Sequence, residues 1–450
     1  MDIISVLRGL LGIIVILLIA FLFSNNKKKI NWRLVASGLI MQIIFAIFII
    51  KGSYLGTIFA PLGWPKLLFK WISSFFVLIL NFTTDGATFV FGNLAKSPGS
   101  EGSLGFFFAF QVLPTIIFFA TLMGVLYHLG IMQKVVQIMA VIMSKLMGTS
   151  GAESLSVSAN IFVGQTEAPL MIKPYLKGLT KSELLTIMTG GMATIAGGVM
   201  AAYIQMLSQS YGEAMGLEIT QAQLLFASHL LGASIMAAPA SLLISKIIFP
   251  ETEEPETKGT VKVSVEKTAS NTIEAAALGA SDGLQLALNV AGMLLAFIAL
   301  IALTNYFLEF IGGITGLNSI LMETYNKPLN LQLIFGIVLQ YLALAIGVPS
   351  ESALQFGSLI GSKVVLNEFV AYFDLTNLIK MKEMVNEKAI IMATYALCGF
   401  ANFSSIAIQI GGISPIAPNQ RTALASLGLK AVLAGSLSTL MTATLAGILF

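Results

Sequence analysis

From Asn160 to Leu170 the chain reads Asn-Ile-Phe-Val-Gly-Gln-Thr-Glu-Ala-Pro-Leu, which sets an amide, a hydroxyl and a carboxylate in succession (Gln165, Thr166, Glu167) inside apolar sequence. Gly164 and Pro169 bracket the three. The segment therefore suits a helix broken at membrane depth, where irregular backbone persists only if it lines a protein-enclosed or water-filled cavity. An ionisable residue at such depth marks a functional site. Gly347-Val348-Pro349-Ser350-Glu351 carries a second carboxylate in a similar setting. Phe400-Ala401-Asn402-Phe403-Ser404-Ser405 places three polar side chains within four residues, and Thr194-Ile195-Ala196-Gly197-Gly198 adds a hydroxyl beside two glycines. Two carboxylates, two amides and several hydroxyls can bind a polar, neutral, hydroxyl-rich solute, with Phe400 as a flat apolar face. No pair of basic residues faces them, which disfavours an anionic phosphate or carboxylate.

The same residues have plainer uses. Gln165, Thr166 and Glu167 can satisfy one another, Glu351 can be solvated at an interface, and Asn/Ser pairs can join helices. Thr194 can bond back within its own helix. His128 and His229, each alone near a helix end, read as structural.

The elements that must position these groups follow from composition. Of 450 residues, 56% are hydrophobic and 10% charged, against about 25% charged in soluble domains. The chain reads as an all-α polytopic membrane protein. A net charge of +3 without a basic stripe gives no sign of nucleic acid as a partner. One cysteine, Cys398, and two histidines exclude an intrachain disulfide and a Cys/His metal centre. Paired glutamates could serve as acid and base in a membrane-embedded enzyme, but no nucleophile-base pair or cofactor motif accompanies them, so no enzyme and no cofactor are expected.

Eight apolar runs are long enough to cross, near 3–23, 34–51, 105–127, 183–206, 223–248, 286–308, 389–410 and 424–449. The first is taken as an uncleaved span, because Lys27, Lys28, Lys29 and Arg33 follow it as a stop-transfer cluster. Residues 57–94, with Trp64, Lys66, Lys70 and Trp71, and residues 131–148 read as interfacial helices. Residues 151–180 and 330–372 read as re-entrant hairpins.

An internal repeat accompanies them. Met192-Ala193-Thr194-Ile195-Ala196 recurs as Met392-Ala393-Thr394-Tyr395-Ala396, each copy following a glutamate-bearing hairpin. The spacings from Glu167 to Met192 and from Glu351 to Met392 differ by 16 residues, about the length of a charged insert at 373–388. Inverted repeats with interrupted segments are the signature of a secondary transporter binding near the midplane. The expected organisation is N-terminal scaffold 1–150, a first transport repeat 151–272, a scaffold span 273–329 and a second transport repeat 330–450.

Gly361-Ser362-Lys363-Val364-Val365-Leu366-Asn367-Glu368-Phe369-Val370-Ala371-Tyr372 resembles the signature of the concentrative nucleoside transporters. Gly164 to Pro169, the Pro250-Glu251-Thr252-Glu253-Glu254-Pro255 loop and Gly399 to Ser405 also match that family. The resemblance implies a sodium-driven nucleoside symporter of the inner membrane, with eight transmembrane helices, two re-entrant hairpins, a homotrimeric scaffold in lipid and an elevator form of alternating access; a proton-coupled carrier is the alternative. It implies that Gln165, Thr166 and Glu167 face the nucleobase beside Val199, that Glu351, Asn402 and Ser405 bind the ribose hydroxyls, and that Phe400 lines the pocket. It maps the sodium site to Asn160, Val163, Thr194 and Ile195. Family members that couple to sodium commonly have serine at the Thr194 position.

Overall fold

A backbone denied water must satisfy its own N–H and C=O groups, and in an uninterrupted apolar chain that selects helices. In the computed structural model, which describes residues 3–96, 98, 100–259 and 269–450, every regular element is helical and the described residues contain no strand. Eight helical stretches are long and apolar enough to cross a membrane: Ser5–Leu22, Trp32–Ile58, Ala60–Ala95, Phe108–His128, Lys181–Met215, Ile219–Ile248, Thr272–Ile314 and Pro418–Leu449.

These are not the same eight that hydropathy suggests. Residues 57–94, expected at the interface, form one 32-residue helix, Ala60–Phe91, of spanning length and composition. The 389–410 run divides into Glu387–Leu397 and Phe403–Ile413 around an irregular stretch at 398–402. The 183–206 run divides likewise into Lys181–Ala193 and Gly197–Met215. Each copy of the repeated pentapeptide thus stands at the end of the first half of a broken helix. Thr194 and Thr394 each donate to the carbonyl four residues back, Gly190 and Ile390, at 2.8 and 2.9 Å. The 286–308 run is part of a 43-residue helix, Thr272–Ile314, about 64 Å long at 1.5 Å per residue.

The segments expected as hairpins, 151–180 and 330–372, fold into short packed helices. The first runs out along Gly151–Ala159 and returns along Ala168–Gly178. Ser150 and Thr180 each form a capping box, with Glu153 and Glu183 respectively, and the Ser150 hydroxyl donates to Glu183 Oε1 at 2.6 Å, which closes the two ends of the hairpin on each other. The second pairs Leu331–Ala345 with Ala353–Val365. Gly336 and Gly357 let the two backbones touch: a Cβ on Gly336 would lie 2.8 Å from Leu354 O, and one on Gly357 would lie 2.8 Å from Gln340 N.

The 373–388 insert is not simply a loop. Its first half, through Lys380, is the C-terminal part of a helix, Glu368–Lys380, whose N-terminal two turns are buried against Gly197–Met215, and residues 381–386 are irregular. Tyr203 stacks on Tyr372 at 4.1 Å between ring centroids and meets Phe369 edge-on at 4.8 Å.

Burial sorts the helices. The most apolar windows of Lys181–Met215 and Ile219–Ile248 are 94% buried, whereas that of Thr272–Ile314 is only 17% buried. Lys181–Met215 and Ile219–Ile248 therefore occupy the centre, and Thr272–Ile314 presents a long apolar face outward. Gly124, Gly279 and Gly283 bring that helix against Leu113–His128. His229 lies in the interior of Ile219–Ile248 rather than near a helix end, with Nδ1 3.2 Å from the Tyr395 hydroxyl across two helices.

Candidate functional site

Helix breaks leave backbone donors and acceptors without helical partners, and two such breaks meet in the core. Gly399 lies against the end of Lys181–Ala193, where a Cβ would stand 2.7 Å from Met192 O and 2.9 Å from Ala193 O. Gly435 lets Pro418–Leu449 close on the same place, its virtual Cβ falling 2.9 Å from Met192 Cβ and 3.2 Å from Ala401 Cβ. The turn of the first hairpin joins this crossing through Gly197 N, which donates to Phe162 O at 3.1 Å.

Polar side chains fill the crossing in a continuous chain. Asn402 caps Phe403–Ile413, its Oδ1 accepting from Ser405 N at 2.9 Å and from the Ser404 hydroxyl at 2.7 Å. Its amide donates to Glu368 Oε2 at 2.9 Å, and the Tyr203 hydroxyl donates to Glu368 Oε1 at 3.3 Å. On the other side Gln165 donates to the Ser405 hydroxyl at 3.1 Å. The first hairpin, the second broken helix and the signature helix are therefore linked by side chains alone. Gln165, Asn402, Ser405 and Glu368 are all buried.

Thr166 and Glu167 turn the other way. The Thr166 hydroxyl donates to Glu167 Oε2 at 3.0 Å, and Glu167 lines a cavity of about 420 Å³ between the first hairpin, Leu113–His128 and Thr272–Ile314. Tyr127, Phe162, Val163 and the Ala196-Gly197-Gly198 step share that wall. Val199 is buried one residue further on, and Phe400 is half-buried in the second break.

Glu351 does not join them. It is exposed and accepts from Asn386 Nδ2 at 2.8 Å. Asn386 caps the start of Glu387–Leu397, whereas Asn402 lies beyond the far end of that helix, and 11 helical residues separate the two ends by about 16 Å. The expected pairing of Glu351 with Asn402 is corrected: the carboxylate beside Asn402 is Glu368. The physical reason is that Glu351 stands in the turn before Ala353–Val365, by the start of Glu387–Leu397, whereas the turn from Ala353–Val365 into Glu368–Lys380 sets Glu368 at the break. Glu368 sat within the quoted signature, behind an Asn that reads as a helix cap. Gln409 was also missed, although Asn402, Ser405 and Gln409 form a polar stripe at i, i+3 and i+7.

Lys363 completes the surroundings. It is buried, and its ammonium donates to Ala396 O at 2.8 Å and to the Thr439 hydroxyl at 3.0 Å. The signature thus grips the second break from both sides, with a cation on the carbonyl end of one half-helix and a carboxylate on the N-terminal cap of the other.

The mapped ion residues also gather. Asn160 ends Gly151–Ala159, and both its side-chain Oδ1 and Nδ2 are buried without a hydrogen-bond partner. A Cβ on Gly190 would lie 3.5 Å from Asn160 Nδ2, and Gly190 O is the acceptor for Thr194. By donating its hydrogen backward, Thr194 keeps its oxygen lone pairs for a cation. Ile195 is buried at the break, and Val163 stands in the adjoining turn. An orphaned amide oxygen, a hydroxyl oxygen and the backbone of a turn and a helix end are the hard ligands an alkali cation takes.

Comparison with known proteins agrees in sequence and shape. Residues 11–94 match the family described as Na+ dependent nucleoside transporter N-terminus, residues 109–210 match nucleoside recognition, and residues 229–447 match Na+ dependent nucleoside transporter C-terminus. The chain is 45% identical to the uncharacterized transporter YutK of Bacillus subtilis over 98% of its own length and 99% of that protein's. It is 40% identical to the nucleoside permease NupC of Helicobacter pylori, covering 99% of itself and 98% of the permease. Among solved structures it is similar to CNTnw in an inward-facing substrate-bound state, with a TM-score of 0.83, 40% identity and coverage of 99% and 98% of the two chains. A doubly substituted form of CNTnw in an outward-facing state gives a TM-score of 0.85 at 40% identity, covering 100% and 98%.

Proposed function

The chain belongs to the concentrative nucleoside transporter family, bacterial type, and from that premise we propose that it imports nucleosides across the inner membrane by symport with sodium. The observation that carries the coupling ion is the Asn160 amide, buried with both polar atoms unpartnered beside the first helix break. Asn160, Val163, Thr194 and Ile195 hold the ion through side-chain and backbone oxygens. Gln165, Thr166 and Glu167 read the base beside Val199, and Phe400 lines the pocket. Glu368, Asn402 and Ser405 bind the ribose hydroxyls, since a carboxylate and an amide match vicinal hydroxyls in donor and acceptor. In the absence of solute these groups satisfy one another, and the solute's hydroxyls replace those mutual bonds.

Both hairpins are re-entrant, and the two units around the broken helices are inverted repeats. Residues 151–272 and 330–450 form the moving transport units; residues 1–150 and 273–329 form the scaffold. The outward apolar face of Thr272–Ile314 suits burial in lipid and in a homotrimer. The transport units slide against this scaffold as an elevator. One ion is sufficient: a cation falling through ~100 mV gains about 2.3 kcal/mol, and a tenfold gradient adds about 1.4. Together these sustain a several-hundredfold accumulation of a neutral solute.

Uptake of radiolabelled nucleoside into proteoliposomes tests the reading. Accumulation is expected with an inward sodium gradient, and Asn160→Ala should raise the sodium concentration needed for half-maximal uptake by about tenfold or more, as removal of one hard ligand does. Accumulation driven by protons alone would retain nucleoside transport and discard the sodium site.

A further inference from the structure

Gln409 lies one helical turn beyond Ser405 and is buried to 1% exposure. Its Nε2 donates to Met188 O at 3.0 Å and to Gln165 Oε1 at 3.0 Å. A backbone carbonyl can only accept, so the Gln409 atom that faces Met188 must be the NH2 group. That assignment propagates. The same NH2 group can only donate to Gln165, so the Gln165 atom opposite it must be the carbonyl oxygen. The Gln165 NH2 is thereby turned toward Ser405, to which it donates at 3.1 Å. Among the described residues, the bonds of this pair use both amide hydrogens of Gln409 and one of Gln165, leaving one hydrogen of Gln165 over. Gly191 makes the contact possible, because a Cβ there would stand 2.8 Å from both Gln165 Cβ and Gln409 Nε2.

We infer that Gln409 is a positioning residue that fixes the orientation of the Gln165 amide, and so sets discrimination between bases offering a hydrogen-bond acceptor and bases offering a donor at the contacted position. The inference rests on the proposed placement of Gln165 against the base. A glutamine free to rotate serves either kind of edge by a half-turn of its amide. One anchored through Gln409 to a main-chain carbonyl presents N–H and favours a base carbonyl over a base amino group.

The test is uptake kinetics of the full-length protein in proteoliposomes with two pairs of substrates that exchange a carbonyl for an amino group, uridine against cytidine and inosine against adenosine. Wild type should prefer the carbonyl member of whichever pair it transports. Gln409→Met, which keeps the volume and removes the donor, should bring the ratio of kcat/KM within that pair about tenfold closer to one, while kcat for the preferred substrate changes less than about threefold. Gly191→Ala, whose methyl would press on the Gln409 amide and on Cβ of Gln165, should move the same ratio in the same direction. A ratio unchanged in either variant while both KM values rise together overturns the inference, as does a wild-type ratio within about twofold of one for both pairs. Gln165→Ala separates the premise from the inference: if it leaves the wild-type ratio intact, Gln165 does not face the base at all.

Discussion

Glu368→Ala should lower the efficiency of concentrative nucleoside uptake by at least about 100-fold, whereas Glu351→Ala should leave it within about threefold of wild type. Glu368 is buried and accepts from Tyr203 and Asn402 across the second helix break. Its removal takes away a charged acceptor for substrate hydroxyls and strands two buried donors. Hydrogen bonds to charged groups contribute about 1.5–3 kcal/mol, and an unsatisfied buried donor costs about 1–3. A 100-fold loss needs about 2.7 kcal/mol, well inside that sum. Glu351, exposed and held by one surface amide, has no comparable debt. The check is uptake of labelled nucleoside into proteoliposomes, paired with a substrate lacking both ribose hydroxyls. That analogue should be poor for wild type and little worse for Glu368→Ala, because the two losses remove the same interaction. Activity retained by Glu368→Ala and lost by Glu351→Ala would reverse the assignment.

Lys246→Met is expected to destabilise the folded protein by about 3–5 kcal/mol, the cost of removing one partner from a buried ion pair. Lys246 is buried near the end of the helix Ile219–Ile248, with its ammonium 2.7 Å from Glu153 Oε2, 3.3 Å from Glu251 Oε2 and 2.9 Å from the Ser182 hydroxyl. It is the cation that neutralises the closing end of the first hairpin, where the Glu153 and Glu183 caps meet and Glu251 accepts from Thr180 at 2.8 Å. Without it the Glu153 carboxylate remains buried without a cation, and the half-buried Glu251 loses its own. A thermal melt of the detergent-solubilised protein measures the loss, and adding Glu153→Gln and Glu251→Gln should recover part of it. A triple variant that melts no higher than Lys246→Met would show that the cluster's charge is not what holds the hairpin.

Much of the candidate site was legible where a polar group interrupts apolar sequence. Gln165, Asn402 and Ser405 stand out by that contrast, and the structure joins them directly. The division of 151–180 and 330–372 into short helices was legible from their glycines and prolines, and a helix break stands beside each copy of the repeated Met-Ala-Thr motif. The treatment of Glu351 as the counterpart of Glu167 failed because their spacings to the repeated motif, 41 and 25 residues, are unequal; Glu368, 24 residues before Met392, stands at the matching place, and Glu368–Lys380 carries it to the break. Gln409 and Lys363 were passed over for a related reason. A glutamine or lysine in an apolar helix carries no mark of its partner, and here both partners are main-chain carbonyls, Met188 O and Ala396 O, more than thirty residues away.

The sequence by itself determined that this chain is a helical membrane protein, where its helices break and which polar groups stand at the breaks. Those properties depend on local composition and on the cost of unsatisfied backbone in an apolar medium, both of which are written along the chain. Only the tertiary structure decided which acid meets Asn402, which way the Gln165 amide turns and which cation closes the first hairpin. Each of those is a contact between segments far apart in sequence, set by how the helices pack, and a hydrogen bond a few tenths of an ångström longer or pointed the other way is a different chemical group.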